Sequence, residues 1–124
     1  MHMKNMINWF EIPVTDYERA KKFYETILDC KIETQEMTGY LYGFLPMTKG
    51  EVSGGIVQGD GYVPSMTGTV VYLNGDPDLT IVLGKVEAAG GKVLMSKTQI
   101  TPEIGYMAFF TDSEGNKIAL HSNG

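Results

Sequence analysis

The sequence is poor in the residues that most often carry chemistry: one cysteine, two histidines and one tryptophan in 124 residues. A single thiol, Cys30, excludes an intramolecular disulfide and fits a reducing compartment. No histidine stands near Cys30 in sequence to activate it. It reads as a small structural hydrophobe rather than a nucleophile. Positive charge is also scarce, with 10 Lys and Arg against 15 Asp and Glu, a net charge of −5. With no basic cluster to offset this, the electrostatic footprint of a nucleic-acid binder is excluded, while neutral and cationic small ligands stay open. No apolar run approaches the roughly 20 residues of a membrane helix. The opening Met1-His2-Met3-Lys4-Asn5-Met6 lacks the apolar stretch and small-residue cleavage site of a secretory signal, so the cytoplasm is the expected compartment.

What is present is an ordinary globular composition, 43% hydrophobic and 20% charged, enough for one core and one domain. Ile7 to Val14 alternates as a strand, with Trp9, Glu11 and Pro13 on one face and Asn8, Phe10, Ile12 and Val14 on the other. Thr15-Asp16-Tyr17-Glu18 has the spacing of a capping box, predicting a helix that Thr15 caps and to which Glu18 reaches back. The helix stripe is Ala20, Phe23, Tyr24, Ile27 and Leu28. Three strands are expected next, at about 31–37, 40–46 and 52–59, divided by Thr38-Gly39 and Thr48-Lys49-Gly50.

Beyond Gly59-Asp60-Gly61 and Pro64-Ser65 the same order returns. Thr69 to Asn74 is a β-branched strand, and Asp76-Pro77-Asp78 reads as a helix start with proline in the first turn. Leu79, Val82, Leu83, Val86 and Ala89 form the second stripe, and Gly90-Gly91 ends it. Strands follow at about 92–97, 106–111 and 117–122, with Asp112-Ser113-Glu114-Gly115-Asn116 turning between the last two. Asp16 and Asp76 stand sixty residues apart, and Lys31-Ile32 and Lys92-Val93 sixty-one. This internal repeat is the most informative feature of the chain. It predicts an α+β domain over 6–122: a first βαβββ module at about 6–59, a linker at about 60–67, and a second module at about 68–122.

In this order the motifs resemble the vicinal-oxygen-chelate superfamily of glyoxalase I, bleomycin-resistance proteins and extradiol dioxygenases. The match rests on Phe10-Glu11-Ile12-Pro13-Val14-Thr15-Asp16 with Ala20, Phe23 and Tyr24. It continues through Val71-Tyr72-Leu73-Asn74-Gly75-Asp76 and Lys85-Val86-Glu87-Ala88-Ala89-Gly90-Gly91-Lys92, and closes on Phe110 to Leu120 with its Asp-x-acid-Gly-Asn turn. The resemblance implies two modules whose eight strands curve around a shared cavity, and a homodimer. It also implies, in metal-dependent members, four metal ligands from the first and last strands of each module. Carried over residue by residue, those positions fall on Trp9, Gly54, Thr69 and Ala119. None suits a divalent cation, since indole lacks a free lone pair, Ala and Gly carry no donor and a neutral Thr hydroxyl is a poor ligand. A site of two histidines and one carboxylate would also need His2 in the opening tail. No metal or other cofactor is therefore expected.

On this resemblance Glu11 and His121 face the cavity two residues beyond Trp9 and Ala119, with Thr69, Val71 and Gln58 also facing it. Glu11 and His121 form a candidate catalytic pair, the carboxylate orienting the imidazole as a general base. Trp9, Thr69, Val71, Gln58 and Ala119 are candidate ligand contacts. Trp9 either fills the volume of the lost metal or offers a stacking platform for a flat or cationic ligand. Tyr40, Tyr42, Tyr62 and Tyr106 either line a cavity mouth or simply pack. The expected function is binding of a small organic molecule without metal. The alternative is an atypical glyoxalase-like lyase or isomerase, either cofactorless through Glu11 and His121 or with a metal displaced onto Glu11, Gln58 and His121.

Overall fold

A computed structural model of the protein describes residues 5–124, so the opening tail with His2 lies outside the described residues. The first module runs β1 (Trp9–Pro13), α1 (Tyr17–Leu28), β2 (Glu33–Met37), β3 (Tyr40–Phe44) and β4 (Ser53–Gln58). The second runs β5 (Tyr72–Asn74), α2 (Thr80–Leu83), α3 (Val86–Ala89), β6 (Lys92–Thr101), β7 (Gly105–Thr111) and β8 (Lys117–Ser122). Each module forms one four-stranded sheet, β1-β4-β3-β2 and β5-β8-β7-β6, in which the first strand lies parallel to the last. The fold is the predicted α+β repeat, arranged as two sheets rather than one closed barrel.

The helices cover one face of each sheet and share a single core. From the first module come Ile12, Val14 and, in α1, Ala20, Phe23, Tyr24 and Ile27, buried as their spacing predicts, together with Ile56 of β4; Leu28 of the same stripe is only partly buried. Leu79, Leu83, Val86, Phe110, Ile118 and Leu120 join them from the second. Phe23 meets Phe110 with ring centroids 6.2 Å apart, so α1 packs across both modules. Gly43 keeps α1 close: a Cβ there would sit 2.6 Å from the Tyr17 hydroxyl and 2.9 Å from Ile56.

Both helix starts differ from the expected ones. Asp16, not Thr15, caps α1, its carboxylate accepting from Arg19 N at 3.2 Å. The reciprocal bond expected from Glu18 comes instead from Glu114, ninety-nine residues from Thr15, which accepts from Thr15 N and Oγ1 and from Asp16 N. A local motif was displaced by a carboxylate that folding brings to the same donors. In the second module Asp76 does not cap a helix, because its carboxylate accepts the Asn123 backbone N–H at 2.7 Å. The helix begins later, at Thr80, and breaks at Gly84 into two short turns. Gly90, at φ 112°, ends α3 in the left-handed conformation expected of it.

Candidate functional site

Away from the helices, the open face of the first sheet is built by strand alternation. Trp9 and Glu11 project there from β1, and Tyr42 and Phe44 from β3, while Ile12 and Ile56 point to the core. Tyr42 pairs across from Val57 and Phe44 from Gly55. A Cβ on Gly55 would lie 2.5 Å from Tyr42 Cε1, and one on Gly59 would overlap the Tyr40 ring. The glycines of 54–59 therefore let aromatic rings lie flat against the strand. Trp9 and Phe44 are 6.1 Å apart at their centroids, Tyr42 and Phe44 4.7 Å, and Tyr40 and Tyr62 5.8 Å.

One carboxylate sits in this aromatic surface. Trp9 Nε1 donates to Tyr42 Oη at 2.7 Å, and Tyr42 Oη donates onward to Glu11 Oε2 at 2.9 Å. From the segment between the modules Tyr62 Oη donates to Glu11 Oε1 at 2.7 Å. Both oxygens of Glu11 are thus held by phenols, and no Lys or Arg among the described residues forms an ion pair with it. The bond to Glu11 pushes the Tyr62 pKa up to about 12, since ionising the phenol would place two negative charges side by side. Tyr42 is also pushed up, first by burial, with the Glu11 bond adding to it and the Trp9 bond opposing it.

Two clefts adjoin this face. The larger, about 820 Å³, is lined mainly by apolar groups, among them Trp9, Phe10, Cys30, Leu45, Val71 and Tyr72. Its volume lies inside the range of roughly 300–1,000 Å³ usual for small-molecule sites. The smaller, about 160 Å³, is bordered by Glu11, Pro13, Thr67, Lys117 and others. Thr69 and Val71 border both, so the clefts meet along the chain leading into β5. Trp9 therefore forms a wall and does not close the space. Burial, with Glu25 and Asp29 nearby, pushes the Cys30 thiol pKa up, the opposite of an activated nucleophile.

Several sequence expectations meet a different geometry. Glu11 and His121 do not pair: Glu11 is engaged by the two tyrosines, and His121 Nε2 lies 2.6 Å from the Ile104 carbonyl oxygen on the second sheet. Gln58 faces the helix side, where its Oε1 accepts from Tyr17 N at 2.6 Å, because it falls one residue out of phase with Val57. Glu11, Gln58 and His121 accordingly do not converge as a displaced metal site, and no group of three or more His, Cys, Asp or Glu suited to a metal occurs among the described residues. Gly54 pairs with Phe10 on the helix side, and the residue beside Glu11 is Gly55. Matching backbone bonds, Val14 N to Val57 O and Gly75 N to His121 O, align Trp9 with Val70, so Thr69 is one position off. Val71 packs against the core while Tyr72 is exposed.

Ala119 lies fully buried on the open face of the second sheet, paired with Tyr72 and Phe109. Of the tyrosines named from sequence, Tyr40, Tyr42 and Tyr62 gather here, whereas Tyr106 belongs to the second sheet beneath Lys97. Phe44 and Gly55 were not singled out from the sequence, although their alternation with Gly43 and Gly54 carries the signal. The donor chemistry does not fit a divalent metal at the positions the resemblance implies. The Trp9 nitrogen is a hydrogen-bond donor already engaged with Tyr42, and Ala119 offers no ligand atom.

Two βαβββ modules with parallel first and last strands, an open sheet face and flanking clefts define a two-module α+β protein of the vicinal-oxygen-chelate type. The chain belongs to the Glyoxalase/Bleomycin resistance protein/Dioxygenase superfamily, whose model matches residues 6–120. It is 31% identical over 128 residues, 97% of its own length and 95% of the relative's, to a glyoxylase-like domain-containing protein of Didymella fabae. Its fold is similar to a glyoxalase/bleomycin resistance protein from Albidiferax ferrireducens, with a TM-score of 0.71, 19% identity, 97% of this chain covered and 100% of the other. A mutant glyoxalase I from Zea mays gives a TM-score of 0.73 at 23% identity over 94% of this chain, which spans only 46% of the maize protein. No helix among the described residues is long and apolar enough to cross a membrane.

Proposed function

We propose that this chain is a small-molecule-binding member of its superfamily that works without a metal, in the cytoplasm and as a homodimer. The observation that carries the reading is the chain of bonds from Trp9 through Tyr42 to Glu11, closed by Tyr62. It places one oriented carboxylate in an aromatic surface beside a cleft of about 820 Å³. Such a combination of apolar volume and few fixed polar groups is what a small organic ligand needs. Trp9, Glu11, Thr69 and Val71 are its proposed contacts.

The test is a fragment screen read by the fluorescence of Trp9, the sole tryptophan, with metal content measured in parallel. Ligands that perturb the wild-type signal and lose affinity in Thr69→Phe, which fills the junction of the clefts, support the reading. Stoichiometric zinc, nickel or iron that supports lyase turnover overturns it. Light scattering checks the dimer, and a monomer at micromolar concentration removes that part.

A further inference from the structure

We infer that the ligand class of this site is an organic cation with an apolar body: an ammonium group seated against Glu11 and a hydrocarbon or aromatic portion lying in the larger cleft beside Trp9. The inference rests on the binding reading above and specifies what is bound. Its first basis is the carboxylate itself. Glu11 is exposed, and although each oxygen accepts one phenolic hydrogen, a carboxylate has about four lone-pair sites, so each oxygen keeps acceptor capacity. Neutral phenols satisfy its hydrogen bonding without cancelling its charge. No arginine or lysine does so either among the described residues. Lys117 borders the same small cleft, but its Nζ is held 4.6 Å from the Phe109 ring centroid on the second sheet.

The second basis is the surround. Tyr42 and Tyr62 bond the acid and Trp9 bonds Tyr42, and of these rings Trp9 borders the larger cleft; such electron-rich rings attract a cation placed over them while giving nothing extra to an anion. The net charge of −5 adds a long-range field of the same sign. The third is the size contrast. The cleft at Glu11, about 160 Å³, holds only a small polar head, whereas the adjoining apolar cleft, about 820 Å³, takes a larger body. Thr69 and Val71, which border both, set the junction between head and body.

Three probes of similar size distinguish the classes: benzylammonium, benzyl alcohol and phenylacetate, titrated into the full chain and followed by Trp9 fluorescence and calorimetry. The expected result is that the ammonium binds most tightly, phenylacetate least, and the ammonium weakens as salt rises. Glu11→Gln should lower the ammonium affinity about fivefold, the scale of one partly exposed ion pair. The same substitution should leave benzyl alcohol unchanged. Tyr62→Phe, which frees one carboxylate oxygen but keeps the ring, should retain the preference. Equal or tighter binding of benzyl alcohol or phenylacetate, or an ammonium affinity indifferent to Glu11→Gln, overturns the cation class while leaving a binding site in place. No response to any of the three overturns both the class and the binding reading.

Discussion

Glu114 and Arg19 join the last turn of the chain to its first helix, with Arg19 Nε 2.7 Å from Glu114 Oε2 and the Glu114 side chain fully covered. The same carboxylate accepts from Thr15 N and Oγ1, Asp16 N and Ser113 Oγ. Two neighbours extend the clasp: Asn116 Nδ2 donates to Pro13 O at 2.7 Å, and Tyr24 Oη to Asp112 Oδ2 at 2.5 Å. The Asp-x-acid-Gly-Asn close of the second module is thus a fastener for the first.

From this follows an acid-sensitive stability. Burial works to raise the Glu114 pKa, but the bonds from Arg19, Asp16 N, Ser113 and Thr15 outweigh it and hold the group down at about 2. Because the folded value lies below the ordinary 4.5, the stability it contributes is complete above about 4.5 and is lost as pH falls toward about 2. Urea denaturation between pH 6 and 2.5 should show this slope, and Glu114→Gln should flatten it. Glu114→Ala should cost about 2 kcal/mol at neutral pH, the scale of a lost helix cap with charge-assisted bonds.

The buried phenol of Tyr24 offers a second check. Its pKa is pushed well up, by burial first and then by the negative charge and hydrogen bond of Asp112. Tyr24→Phe leaves Asp112 with one donor fewer in a covered site, so a loss of about 1–3 kcal/mol is expected in chemical denaturation. A change within error would mean that solvent replaces the hydroxyl.

Gly55 should tolerate no side chain. An alanine Cβ would lie 2.5 Å from Tyr42 Cε1 and 2.7 Å from the Gly43 carbonyl oxygen, and the latter is backbone that cannot swing aside. Gly55→Ala should destabilise by about 1–3 kcal/mol. It should also shift the Trp9 emission, because a displaced Tyr42 releases the indole nitrogen.

Alkaline titration of the phenols tests the pairing at the candidate site. Tyr62 should ionise at about 12 in the wild type and return toward 10 in Glu11→Gln, where the neighbouring negative charge is gone. Difference absorbance of the two proteins, with Tyr62→Phe assigning the band, reads the shift directly. Identical titrations would show that Tyr62 and Glu11 are not bonded in solution.

The repeat, the two helix stripes and most strands were legible because their signals are periodic and local. Ile12, Val14, Phe23 and Ile27 announce their burial by spacing alone. The site was legible in part. Alternation put Trp9 and Glu11 on one face of β1, as found, but it could not supply their partners. Glu11 meets Tyr42 and Tyr62, separated from it by 31 and 51 residues, and not His121. A slip of one residue was enough to move Gln58 and Gly54 to the helix side, since neighbouring residues of a strand point to opposite faces.

By itself, then, the sequence determined the order of elements and the core-facing residues, and it placed two of the four implied ligand positions, Gly54 and Thr69, one residue out of register. Tertiary structure alone decided who bonds to whom. It gave the α1 donors to Glu114 in place of Glu18, turned Asp76 from a helix cap into a partner of Asn123, and set Glu11 among phenols. The physical reason is range: burial and alternation are written along a few consecutive residues, whereas a hydrogen bond between residues up to 99 apart depends on how the two sheets and α1 come together.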